Sequence, residues 1–220
     1  PTVPTAVTPN PEPPNIPRLC LTKDTLITLS DSSQKTIDKI KSGDKIICFN
    51  KSSVLKENFE KTTSTTVKSV KKSSSKNIFK ISFSSGETVK STVDHPFYVF
   101  NKGWSSINPS KSKSKYRDHG DLHSIQKLEV GDYCILKTKN GWEENRITSI
   151  NKLDNRNRSI YTLELNSHNN FLANNILVHN KTWYWWWNTG GGGGGAGGGG
   201  GRRGRNPDLT QCGKNCIPII

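Results

Sequence analysis

The sequence predicts an all-β domain built from a duplicated unit and flanked by segments of low complexity. Three observations carry this. Short apolar runs are separated by turn residues along residues 20–180, three of those segments recur in the same order, and both ends of the chain change composition abruptly.

The runs come first. Thr25–Leu29 precedes the turn Ser30-Asp31-Ser32-Ser33, and Ile46–Phe49 follows the Gly43-Asp44 turn. Ile78–Phe83 alternates strictly before Ser84-Ser85-Gly86, and Thr88–Thr92 follows it. Phe97–Phe100, Tyr133–Leu136, Arg146–Ile150 and Ile160–Leu165 complete the set. Many short strands with turn signals between them read as all-β. Ile37–Ile40 and Ile125–Leu128 each fit a single helical turn.

The duplication is the most informative pattern. Thr36-Ile37-Asp38-Lys39-Ile40-Lys41-Ser42-Gly43-Asp44 is echoed by Ser124-Ile125-Gln126-Lys127-Leu128-Glu129-Val130-Gly131-Asp132. Val67-Lys68-Ser69-Val70 is echoed by Ile147-Thr148-Ser149-Ile150, and Ile78-Phe79-Lys80-Ile81 by Ile160-Tyr161-Thr162-Leu163. Matched segments in one order imply a pseudo-two-fold fold.

The flanks differ from this core. Residues 1–19 are a proline-rich linker with Pro1, Pro4, Pro9, Pro11, Pro13, Pro14 and Pro17, since proline fixes φ and removes donors. Residues 181–220 start with Trp183-Tyr184-Trp185-Trp186-Trp187 and pass into glycines 190–201, broken by Ala196. Such glycine density does not repay its ordering entropy. The chain has no methionine, even at position 1, which is expected of a fragment or a processed product.

The formal charge is +14, from 32 Lys+Arg against 18 Asp+Glu. The lysines alternate with serines in Lys71–Lys76 and Lys111–Lys115, which read as solvated loops, so no specific nucleic-acid partner is expected. Five cysteines in 220 residues are too sparse for a disulfide scaffold, and nothing resembles a signal peptide or a membrane span. Cys48 and Cys134 fall in repeated strands and read as core. His119, Asp121 and His123 have a ligand-like spacing but no fourth ligand nearby, and Cys212 and Cys216 form an isolated pair, so neither a metal nor any other cofactor is expected.

The chemistry concentrates at the domain's edges. Ile176-Leu177-Val178-His179-Asn180 ends the β region directly before Lys181. An asparagine amide nitrogen can attack its own main-chain carbonyl, closing a succinimide and breaking the following peptide bond. The leaving amine needs a proton, which an adjacent imidazole such as His179 can supply. At the other edge, Cys20 directly follows the linker after Leu19, and Thr92-Val93-Asp94-His95 follows a strand.

Together these residues resemble the intein/Hint superfamily of self-processing domains, over about residues 20–180, most like a bacterial-intein-like domain of the A type. Cys20 matches the family's N-terminal nucleophile, and Thr92 and His95 its Thr-x-x-His motif. Tyr161-Thr162-Leu163-Glu164-Leu165 with His168 and Phe171 resembles the penultimate motif, and Ile176–Asn180 the terminal one. The resemblance implies a compact β horseshoe with pseudo-two-fold symmetry. It also implies an acyl shift that turns the Leu19–Cys20 amide into a thioester, with His95 acting on the Cys20 nitrogen and Thr92 holding the site. Asn180 then cyclises, with His179 protonating the leaving amine and His168 polarising the Asn180 carbonyl.

Two departures shape the expectation. Splicing inteins carry Cys, Ser or Thr after the final Asn, and this chain has Lys181. Many inteins have Asp where this chain has Thr162. The expected outcome is cleavage at both edges, with the chain's own flanks as substrate and water, an external amine or an external thiol as acceptor, and splicing of the two flanks is the other outcome open to such a domain. The rival reading is a non-enzymatic one: an inactive Hint spacer or a basic binding module in a larger surface protein.

Overall fold

The computed structural model describes residues 19–115 and 124–180. The proline-rich residues 1–18, the His119-Asp121-His123 segment, Lys181, the Trp and Gly tail and the Cys212/Cys216 pair lie outside the described residues.

Among the described residues, fifteen strands carry the fold. The first half holds β1 (Leu21–Thr22), β2 (Leu26–Thr28), β3 (Gln34–Thr36), β4 (Lys45–Cys48), β5 (Thr63–Ser75), β6 (Ile78–Phe83) and β7 (Thr88–Thr92). Then come β8 (Phe97–Val99), β9 (Gly103–Ser106), β10 (Gln126–Lys127), β11 (Tyr133–Thr138) and β12 (Gly141–Lys152). The last are β13 (Arg158–Leu165), β14 (Asn170–Ala173) and β15 (Ile176–His179). Two short helices, α1 (Lys51–Leu55) and α2 (Pro109–Lys115), and a 3-10 turn at Ile37–Lys39 complete the described elements. The strands join edge to edge in the order β3-β2-β14-β15-β8-β11-β12-β6-β7-β1-β13-β5-β4.

The duplication is visible in the pairing itself, because the two units exchange strands. The long β5 of the first unit pairs with β13 of the second, and the long β12 of the second pairs with β6 of the first. The registers correspond: Val70↔Leu163 and Val67↔Leu165 on one side match Ile150↔Ile81 and Ile147↔Phe83 on the other. Each ladder also shifts register at the matching place, beside Val67 and beside Ile147.

The turns obey the same symmetry. Gly43 and Gly131 adopt φ of +92° and +100°, a backbone conformation that side chains resist. Gly43 N–H then reaches Val67 O at 2.9 Å, and Gly131 N–H reaches Ile147 O at 2.9 Å. The following aspartate closes each turn: Asp44 Oδ2 accepts from Lys41 N–H at 3.0 Å, and Asp132 Oδ2 from Glu129 N–H at 2.8 Å.

Val67, Ile147, Ile81 and Phe83 belong to one large buried cluster with Leu163, Leu165 and Val178. Ile147 is fully buried at the centre of the exchange. Ile147→Ala is therefore expected to cost about 2–5 kcal/mol in urea unfolding, through lost burial plus a cavity. Val130→Ala, at a residue 56% exposed, is expected to change stability by under about 0.5 kcal/mol.

Three sequence expectations need correction. Lys71–Ser75 is not a loop but the outer part of β5, where pairing with the apolar β13 satisfies the backbone and leaves the lysine side chains to solvent. Lys111–Lys115 belongs to α2, because Asn108 Oδ1 accepts Lys111 N–H at 3.0 Å and Pro109 opens the helix. The first repeated Ile-x-x-Ile segment does make a single turn, but the second becomes β10. There Gln126 and Lys127 pair in parallel with Ser105 and Ser106 of β9.

Candidate functional site at the two edges of the β domain

The pairing registers assemble the amino-terminal half of the site. Leu21 of β1 lies opposite Ser91 of β7 and opposite Tyr161 of β13. One step back along both antiparallel pairs sets Cys20 beside Thr92 and Thr162. Cys20 N–H donates to Thr92 Oγ1 at 3.2 Å, and Thr92 N–H donates to Cys20 O at 3.0 Å. Both main-chain groups of Cys20 are thus held by one threonine.

Thr162 holds the other side of the same peptide bond. Its hydroxyl donates to Leu19 O at 2.7 Å and lies 3.0 Å from Cys20 Sγ. Since the hydroxyl proton is committed to Leu19, the thiol is the donor in the second contact. One side chain therefore polarises the Leu19 carbonyl while accepting from the sulfur next to it. Leu19, Cys20, Thr92 and Thr162 are all buried. Leu19, placed in the linker by sequence composition, is core.

The carboxyl-terminal half comes from the β14–β15 hairpin. Its turn residues Asn174 and Asn175 have φ of +47° and +63°, the left-handed pair a tight hairpin turn needs. Asn174 fastens this turn, accepting from Leu26 N–H and donating to Thr88 O, both at 2.6 Å. Asn170 lies opposite His179 and Val178 opposite Phe97. His179 N–H reaches Pro96 O at 3.0 Å, and Asn180 N–H reaches Asn169 O at 2.6 Å. Pro96 directly follows His95, so its bond brings His179 to the chain beside His95.

His95 consequently borders both halves. Its main-chain N–H closes the turn onto Thr92 O at 3.2 Å, and its ring packs on Phe97 at 5.8 Å. Both ring nitrogens are buried with no hydrogen-bond partner among the described residues. Burial, first, and the nearby His179 lower its pKa to about 3, against the opposing charge of Asp94. The imidazole is neutral at neutral pH. His179 stacks edge-on against Trp104 at 4.8 Å. Asn180 is 2% exposed, and its Nδ2 is buried with no hydrogen-bond partner among the described residues.

His168 is placed differently. It sits at φ +62°, with Nδ1 3.0 Å from Ser167 Oγ and Nε2 2.8 Å from Asn50 Oδ1. The main chain meeting Asn180 is that of Asn169. Asn50 and Thr162 are contacts that sequence reasoning did not assign to the site; for Thr162 the signal was its departure from the family's usual Asp. Cys48 and Cys134 are fully buried, and burial pushes the Cys48 thiol up to about 12. Among the described residues no group of three or more His, Cys, Asp and Glu is disposed to hold a metal, and no helix is long and apolar enough to cross a membrane.

The His95 shift has a sign that can be checked. The unfolded state takes up the imidazole proton near pH 6.5 and the folded state only near 3, so stability falls as pH drops through that window. The slope from this group is about 1 kcal/mol per pH unit. Urea midpoints between about pH 6.5 and 4.5 are expected to fall less steeply for His95→Phe than for wild type. Equal slopes would assign the acid sensitivity elsewhere.

The mostly antiparallel β architecture, with β5 pairing β13 and β12 pairing β6 across the two units, is a Hint/intein-like fold. The DnaB intein from Synechocystis sp. PCC 6803 matches it with a TM-score of 0.57 and 21% identity, covering 74% of this chain and 99% of that one. A bacterial intein-like domain from Clostridium thermocellum matches with a TM-score of 0.55 and 22% identity, covering 74% of this chain and 100% of that one. At these identities the likeness establishes the fold alone.

By sequence, the chain belongs to the AXH family, the Ataxin-1 and HBP1 module, whose family model matches residues 21–139. Ataxin-1 of Homo sapiens is 33% identical over 150 residues, which cover 64% of this chain and 17% of that protein. Ataxin-1 of Mus musculus is 32% identical over 150 residues, covering 64% and 18%. The chain thus spans under a fifth of the length of these curated relatives. The family match holds Thr92 and His95 but begins one residue after Cys20 and stops before His168, His179 and Asn180.

Proposed function

We propose that residues 20–180 form an intein-like self-processing domain of the A type, acting once on its own flanks. The observation that carries this reading is the three-atom group at the Leu19–Cys20 bond: a carbonyl polarised by Thr162, a thiol 3.0 Å from that hydroxyl, and an amide nitrogen held by Thr92. The Cys20 sulfur adds to the Leu19 carbonyl carbon and loses its proton. The Cys20 nitrogen leaves, takes up one proton and becomes a free amine, so the amide becomes a thioester with nothing gained or lost. Neutral His95, at the junction of the two halves, is suited to carry that proton from thiol to amine.

The tail is released separately. Asn180 Nδ2 attacks its own carbonyl carbon and gives up a proton, and the Lys181 nitrogen leaves with one. Burial of Nδ2, with no competing hydrogen bond among the described residues, favours this attack. His179, held against Trp104, is assigned to the leaving amine, and His168, whose Nε2 lies 2.8 Å from Asn50 Oδ1, to the Asn180 carbonyl. Lys181 offers no hydroxyl or thiol to receive the acyl group. Water, an external amine or an external thiol therefore takes it, and the outcome is cleavage.

A non-processing module is the rival. It is favoured by the AXH match, which falls on the scaffold and leaves out both Cys20 and Asn180. Intact-mass analysis of the purified chain over time separates the two readings. Fragments ending at Leu19 and at Asn180 are expected, the first accelerated by hydroxylamine. A chain that stays full length under reducing conditions at neutral pH is the non-processing module.

A further inference from the structure

We infer that a cationic cleft beside β1 is the docking site of the acyl acceptor, and that the acceptor it takes is a small anionic thiol. The inference rests on the acyl shift proposed above and names the nucleophile that ends it.

The cleft has a volume of about 620 Å³, a size at which small molecules are bound. Lys23, Lys90, Arg156 and Arg158 line it together with two carboxylates, Asp24 and Asp154. Lys90 Nζ holds Asp24 at 2.6 Å. Asp154 serves both arginines, Arg156 at 2.7 Å and Arg158 through Nη2, and neither carboxylate pairs with Lys23. Four cations against two carboxylates leave a charge of +2 in one concavity. Low-dielectric walls focus such a field and concentrate anions within it.

Its place in the sheet joins it to the thiol. Alternate residues of a strand share a face. On β13, Arg158, Ile160 and Thr162 therefore lie on one face, and Thr162 meets Cys20 Sγ. Thr22 lies opposite Ile160 and lines the cleft, two positions and about 7 Å along the chain from Cys20. On β7, Lys90 and Thr92 are related in the same way, and Thr92 holds the Cys20 N–H. Leu153 belongs to both places, lining the cleft and packing against the cluster of Cys20, Ile78 and Ile160. Ile78 and Ile160 are fully buried, so half-buried Leu153 is the side chain that the cleft and the surroundings of the sulfur share.

The charge selects among acceptors. A thiol attacks as its thiolate, an anion, whereas a simple alkylamine is an ammonium cation at neutral pH. The cleft attracts the first and repels the second, and a sulfonate or carboxylate on the thiol gives it a further point of attachment. The acceptor sulfur, as thiolate, adds to the Leu19 carbonyl carbon. The Cys20 sulfur leaves and takes up the proton that the acceptor thiol lost. One thioester is exchanged for another, the fragment ending at Leu19 departs on the acceptor, and Cys20 is left as a free thiol.

The test treats the full chain with 2-mercaptoethanesulfonate, 2-mercaptoethanol or 2-aminoethanethiol, which are anionic, neutral and cationic thiols of similar size. Each rate is divided by the same thiol's rate on a small model thioester, which removes intrinsic reactivity. Intact mass follows the fragment ending at Leu19 as the acceptor's adduct, and the cut after Asn180 serves as the measure of folding. At low salt the anionic thiol is expected to cut about tenfold faster than the neutral one, with the cationic thiol slowest. The anionic-to-neutral ratio is expected to fall below about threefold in roughly 0.5 M sodium chloride, where such fields are screened. Lys23→Glu combined with Arg156→Glu, at two exposed positions, takes the cleft from +2 to −2 and is expected to abolish the preference. Equal rates for the three thiols, cleavage by hydroxylamine but by no thiol, or a preference that survives the double reversal would overturn the cleft and leave the acyl shift standing. A wild-type chain that neither hydroxylamine nor any of the thiols cuts would overturn the acyl shift and the inference together.

Discussion

Asn180→Ala is expected to abolish release of the segment beginning at Lys181, with the cut after Leu19 continuing at its wild-type rate. The loss should be complete, because no other residue supplies an amide nitrogen one turn of bonds away from that carbonyl. The structure adds a second readout. Asn180 Nδ2 is buried with no hydrogen-bond partner among the described residues, which costs stability by about 1–3 kcal/mol for a group of this kind. Alanine removes the orphaned group, so the variant is expected to unfold at equal or higher urea despite being inactive at this bond. Loss of both cuts together, or a marked loss of stability, would mean that Asn180 is a packing residue.

Thr162→Val is expected to slow formation of the Leu19–Cys20 thioester by about a hundredfold, the scale on which one donor to a developing oxyanion acts. The change keeps shape and burial, removes the donor to Leu19 O and leaves Cys20 Sγ without that hydroxyl. Thr162→Ser retains the oxygen and is expected to recover most of the rate. If valine and serine variants are equally slow, packing at this position matters and the hydroxyl does not. Hydroxylamine-induced cleavage at residue 19 measures both, with tail release as the folding control.

Much of this fold was legible because its signals are local or repeated. Ile78–Phe83 and Thr88–Thr92 coincide with β6 and β7, since alternation and a Gly86 turn define both ends of that hairpin. The echo of Gly43-Asp44 in Gly131-Asp132 is legible because the same φ and the same aspartate cap are needed twice. The outer part of β5 was not legible. Lys71-Lys72-Ser73-Ser74-Ser75 has no apolar alternation, and only the partner β13, almost ninety positions further along the chain, makes it a strand.

The site divides in the same way. His179 and Asn180 stood out by their chemistry at a composition boundary and Cys20 by its match to the family motif, and the sequence by itself determined that a β domain with duplicated segments lies between two unlike flanks. Leu19 was misread as linker because composition averages over neighbours, whereas burial belongs to a single side chain. That Thr162 touches both Leu19 O and Cys20 Sγ, that His168 bonds to Asn50, and that His95 borders both halves were decided only in three dimensions. The physical reason is register. The Thr162 contacts are set by how far β1 has slid along β13, and a single-residue slip would turn Thr162 away from Cys20, while His168, Asn50 and His95 lie in the connections that those strands position.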